Sequence, residues 1–188
     1  MRGIIPLKEE ENMADLREKI VEDRGIISRI QTIIPGFSGY RAKEDLRAAD
    51  NMLRMQLAER LAATRREVEG CRSVMASNYS LEHMEKIGVL INRFKAVEQE
   101  VSHAAQGYSG ISAKTRVGEA ELNKLYEYDY SLASSVAEMA ADAQKLKAAA
   151  GSDNKASIKE NIEAMAARLD AFEATFRRRM TVVTGTEA

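Results

Sequence analysis

Tryptophan is absent from the 188-residue chain, which also holds only two prolines, one cysteine and two histidines. A lone cysteine, Cys71, excludes an internal disulfide and fits a reducing compartment. No apolar run approaches the roughly 18 to 20 residues that a membrane-spanning helix needs. The segment Met1 to Leu7 has one arginine and too short an apolar stretch for a secretory signal. Neither sign of charge is in excess: 28 lysines and arginines face 29 aspartates and glutamates, for a net charge of −1. The counterion-release term that drives nucleic-acid binding is therefore missing. These absences predict a cytoplasmic protein with no membrane span and no nucleic-acid partner.

What is present is helical. Hydrophobic residues make up 45% and charged residues 30%, a balance that suits a folded chain. A chain of this length can bury roughly 70% of its unfolded surface in one core. The clearest pattern is the seam Leu122, Leu125, Asp129, Leu132, Val136, Met139, Ala143, Leu146 and Ala150. Its intervals alternate between three and four, the coiled-coil-like period of long helices packed along their length.

Similar seams divide the chain. Residues 1–8 read as a flexible tail, 9–182 as one helical-bundle domain and 183–188 as a frayed end. Helices are predicted over about 9–33, 42–75, 81–105, 119–150 and 156–180. Pro35 ends the first of these, and the connector through Gly36, Phe37, Gly39 and Tyr40 supplies glycines for a turn and aromatics to plug the core. Asn78 and Ser80 break the second helix, and Gly151 sits at the end of the fourth. The longest non-helical stretch is 106–117. Short links make sequential helices antiparallel, so the predicted fold is all-α: an up-down-up-down four-helix bundle. The N-terminal fifth helix lies against that bundle or reaches to another subunit.

Candidate chemistry is sparse. A ferritin-like metal centre needs two Glu-x-x-His motifs and two further glutamates facing inward. Here Glu100 and His103 give one such spacing, while His83 lies 20 residues earlier, roughly 30 Å away along a helix. Both histidines are therefore expected at the surface, and no metal or other cofactor is expected. Cys71 falls on a seam, where burial makes a thiol inert. No nucleophile elbow, phosphate loop or dinucleotide fingerprint occurs, so no catalytic residue is assigned. The run Arg177-Arg178-Arg179 reads as positive charge complementing a helix C-terminus.

Asp129 is the sharpest residue, because a carboxylate stands where the seam expects an apolar side chain. Such a group must be paired or hydrogen-bonded. One account pairs it with Arg93 or Arg47 to set the bundle's register. The other makes it part of a polar pocket for something small.

The segment Ile34-Pro35-Gly36-Phe37-Ser38-Gly39-Tyr40, with Arg47 and Asp50 following, resembles a family of uncharacterised prokaryotic helical proteins. That family carries an Ile-Pro-Gly, Gly-Tyr, charged-run, Arg-x-x-Asp pattern, and Leu122, Leu125, Tyr126 and Asp129 are compatible with it. The resemblance implies a shared turn after the first helix and no activity. Lys43, Glu44, Arg47 and Asp50 are spaced for pairs along one helix. Tyr40, Arg47, Asp50, Arg93 and Asp129 are thus the candidate binding residues. The expected function is non-enzymatic, acting through a protein partner or self-association. A small-molecule or ion-binding bundle centred on Asp129 is the alternative.

Overall fold

A computed structural model describes residues 25–40, 43–79, 81–104 and 119–184, excepting the side chains of 43–47, 119–121 and 183–184. The described residues form five helices and no strand. These are α1 (25–33), α2 (Lys43–Ser77), α3 (Met84–His103), α4 (Glu119–Gly151) and α5 (Lys155–Thr184). A 3-10 turn over Leu81–His83 takes the place of the predicted start of α3. The fifth helix runs four residues further than expected. The predicted helix over 9–24, both chain ends at 1–8 and 185–188, and the 106–117 connector lie outside the described residues.

The seams are what the helices bury. On α4, Leu125, Leu132, Val136, Met139, Ala143, Leu146 and Ala150 are all buried. Leu53, Leu57, Leu61, Val68 and Met75 of α2 join them, with Ile87, Phe94 and Val101 of α3 and Ile158, Leu169 and Phe172 of α5. Each Leu, Ile, Val, Met or Phe side chain among them contributes roughly 1.5 to 3 kcal/mol when fully buried. Because these positions recur along whole helices, the core is one continuous rod.

Surface ion pairs fix the directions. Lys86, Arg93 and Glu100 of α3 meet Glu163, Asp170 and Arg177 of α5, each pair 77 residues apart. Both sets advance by seven, so α3 and α5 run parallel and in step. Glu67 of α2 and Lys147 of α4, 80 residues apart, tie the other parallel pair. The bundle is therefore two antiparallel hairpins, α2–α3 and α4–α5, lying side by side. Around its cross-section the order is α2, α3, α5, α4. Helix direction alternates along the chain as expected. Yet α3 and α4, consecutive in sequence, sit on a diagonal instead of packing as neighbours.

Both hairpin turns lie at one end. Asn154 Oδ1 accepts from the Ser157 amide at 3.1 Å and caps α5. The Asn78 side chain donates to the Ala150 carbonyl at 3.2 Å and ties the two turns together. His83 corrects the sequence expectation of a surface histidine: it is buried where the α2–α3 turn meets the start of α5. Its spacing explains this, since 83, 87, 90, 94, 97 and 101 form one seam. His103 is exposed, as expected. No helix among the described residues is long and apolar enough to cross a membrane.

The described part of α1 lies on its own bundle. Arg60 of α2 donates to the Ile33 carbonyl, Gln56 donates to the Pro35 carbonyl at 2.8 Å, and the Arg29 guanidinium sits 6.0 Å from the Tyr130 ring centre. A strap over 34–40 then doubles back through two left-handed glycines, Gly36 at φ 84° and Gly39 at φ 80°. Phe37 plugs the core beneath it, packing edge-on to Tyr40 with ring centres 5.4 Å apart.

Candidate functional site

The strap ends over a cluster of charge. Asp129 of α4 and Arg179 of α5 are both completely buried, and Asp50 and Arg54 of α2 are nearly so. Two carboxylates and two guanidinium groups make a neutral set, the only form in which charges can be held in a core without a large penalty.

Arg179 is the hub. Its Nε donates to Asp129 Oδ1 at 2.5 Å, its Nη2 donates to Tyr40 Oη at 2.9 Å, and its Nη1 lies 2.7 Å from Asp50 Oδ1. The last of these is an ion contact whose angles fall outside hydrogen-bond geometry. Tyr40 Oη donates in turn to Asp129 Oδ2. Arg54 Nε donates to Asp50 Oδ2 at 2.7 Å. Its Nη1 reaches the carbonyls of Val101 and Ser102 at 3.3 and 3.4 Å. Those carbonyls belong to the last turn of α3, which needs donors from elsewhere. All four bundle helices and the strap are thus stitched at one level.

Backbone geometry brings Tyr40 in. Its amide donates to Tyr126 Oη at 2.8 Å. Gly39 makes that approach possible, because a Cβ there would stand 2.9 Å from the Tyr126 hydroxyl. Burial pushes the Tyr40 phenol well above its usual pKa, and the negative charge of Asp129 adds to the shift. Burial also raises the Asp129 carboxyl, against the opposing pull of Arg179 and Tyr40. Burial raises the Cys71 thiol, in keeping with an inert core cysteine.

Of the candidate residues, Tyr40, Asp50 and Asp129 converge. The Arg47 side chain lies outside the described residues. Arg93 is placed elsewhere, correcting its expected pairing with Asp129: it bonds Asp170 and lies 4.0 Å from Glu173 on the outer face of α3 and α5. Arg54, Tyr126 and Arg179 were not among the candidates. Arg179 had been assigned with Arg177 and Arg178 to a helix-end cluster, yet it is buried, while both neighbours are exposed.

Among the described residues the cluster is nearly saturated. Both Asp129 oxygens are engaged, and Arg54 is spent on Asp50, Asn51 and two backbone carbonyls, while Arg179 meets Asp129 and Tyr40 by hydrogen bonds and Asp50 by an ion contact. An open groove of about 660 Å³ lies along α4 and α5 between Tyr130, Ser134, Glu138, Ala167, Arg168 and Ala171, and Asp129 is not in its wall. Among the described residues no group of three or more His, Cys, Asp or Glu side chains could hold a metal. Searched against protein-family models, curated proteins and solved structures, the chain matches none.

Proposed function

We propose that the protein is a non-enzymatic, cytoplasmic helical scaffold that acts by binding another protein. The observation that carries this reading is at the hairpin end of the bundle. Tyr79 adopts φ 55°, a left-handed conformation that costs a non-glycine residue roughly 1 to 2 kcal/mol. It does so with 86% of its surface in solvent, beside Leu81 at 66%. Asp153 takes the same conformation in the α4–α5 turn, at φ 50°, so the backbone is explained by the turn. What supports contact with something outside the chain is the exposure of two large side chains side by side. Among the described residues, the cluster at Asp129 offers the small-ligand alternative no comparable opening.

The test is site-specific photo-crosslinking in cells. A photoreactive phenylalanine at position 79 is expected to trap one recurrent protein adduct, which Leu81→Ser abolishes. The same probe at Arg66, an exposed position on α2, is expected to trap none. Adducts that are absent, or equal at both positions, would overturn the reading.

A further inference from the structure

The four-helix bundle carries residues 25–40 on α2 and α4, and Ile30, Ile34, Phe37 and Tyr40 of that segment join its core. Its seams face each other across α2, α3, α4 and α5, and its ion-pair ladders run along the outside. Among the described residues, 25–40 are fastened to α2, α4 and α5 by few polar bonds: Gln56 to Pro35, Arg60 to Ile33, the Tyr40 amide to Tyr126, and the Tyr40 hydroxyl to Asp129 and Arg179. The last two are the strongest in kind, because both engage ionised groups in a dry setting.

One property of the cluster bears on whether that fastening can let go. Asp129 keeps Arg179, and Asp50 keeps Arg54 and Arg179, whether or not the phenol is present. Withdrawing Tyr40 therefore strands no charge, and the quartet stays neutral and paired. The segment also carries its own internal contacts. The Ile34 amide donates to Ile30 at 2.7 Å, and the Gln31 side chain donates to the Phe37 carbonyl at 2.8 Å. It can move as one body.

We propose that residues 25–40 form a latched strap, which opens from the bundle as a unit with the Tyr40 hydroxyl as its latch. Opening uncovers Ile30, Ile34 and Phe37, together with the surface of α2 and α4 beneath them, and so gives the chain an apolar face that is absent when closed. The strap rests on different residues from the Tyr79 tip, so the two readings fail separately.

Native-state hydrogen exchange tests it. The Tyr40 amide is the reporter of opening, since its partner is Tyr126 on α4, whereas the Ile34 and Phe37 amides bond within the segment and stay protected when it moves as a unit. The Tyr40 amide is expected to exchange through an opening that leaves α2 to α5 protected. Tyr40→Phe is expected to speed exchange of the amide at position 40 about tenfold to a hundredfold with the bundle amides unchanged, as loss of a bond to a charged group implies. Gly39→Ala disturbs the same fastening from the backbone and is expected to act in the same direction. A Tyr40 amide that exchanges only with global unfolding would overturn the proposal. So would a Tyr40→Phe protein in which the amide at position 40 is as protected as in the unmodified one.

Discussion

Arg179 and Asp129 close on each other across α4 and α5 with Nε and Oδ1 2.5 Å apart and neither residue exposed. Removing one member of such a pair leaves the other charged and without its main partner. Arg179→Met is therefore expected to cost about 3 to 5 kcal/mol in urea unfolding. Asp129→Leu combined with Arg179→Met removes one charge of each sign and leaves Asp50 with Arg54. The double variant should be more stable than the sum of the two single losses, a difference that a double-mutant cycle measures directly.

The Tyr40 phenol makes stability fall in alkali. Its folded pKa lies above its unfolded value near 10, so the folded form holds its proton longer. The contribution is fully present below about pH 10 and is lost as pH rises toward the folded pKa. Above pH 10 this one residue should lower the unfolding free energy by about 1.4 kcal/mol per pH unit. Comparing urea midpoints of Tyr40→Phe with the unmodified protein between pH 8 and 11 isolates that slope, which the variant should lack.

Acid acts through Asp142. Its burial alone would raise the carboxyl, but hydrogen bonds from Lys145 and Arg168 more than offset this, and its pKa lies below the ordinary range. A depressed pKa means stability that is present above the unfolded value near 4 and is lost as pH falls through the folded value. Asp142→Asn should therefore destabilise the protein at pH 7 and lose that penalty progressively as pH falls below about 4, as followed by circular dichroism during thermal unfolding.

The two strap glycines should respond differently to alanine. Both are left-handed, a conformation that costs alanine about 1 to 2 kcal/mol. At Gly36 the nearest neighbour of a new Cβ would be the Met52 sulfur at 3.8 Å, so little more is expected. At Gly39 the Cβ would collide with the Tyr126 hydroxyl at 2.9 Å and with Ile27 at 3.1 Å, disturbing the bond to the Tyr40 amide. Gly39→Ala should cost at least about 1 kcal/mol more than Gly36→Ala in the same urea assay.

Most of the fold was legible because it rests on periodicity. The α4 seam named its buried residues almost one for one, and Asp129 stood out as the charge that interrupts it. Its partner was legible in principle. On α5 the positions 165, 169, 172, 176 and 179 alternate four and three, so Arg179 falls on the apolar stripe while Arg177 and Arg178 do not. Three consecutive arginines hid this, because the run as a whole looks like a solvated helix end. The lateral order of the helices was less accessible. Spacing within one helix says which face is buried, but not which of three other helices lies against it. That information sits in pairs such as Lys86–Glu163 and Glu67–Lys147, which become visible only once the helices are placed.

Lateral pairing of α2 with α4 and of α3 with α5 has a consequence for how the molecule can be divided. Each hairpin is assembled from sequence-local parts, and the surface between the hairpins resembles the contact between two separate proteins. Cutting the backbone between His103 and Glu119 would sever no seam and no ion pair among the described residues. Two independently produced fragments, one on each side of that cut, would carry everything needed to recombine into the intact rod.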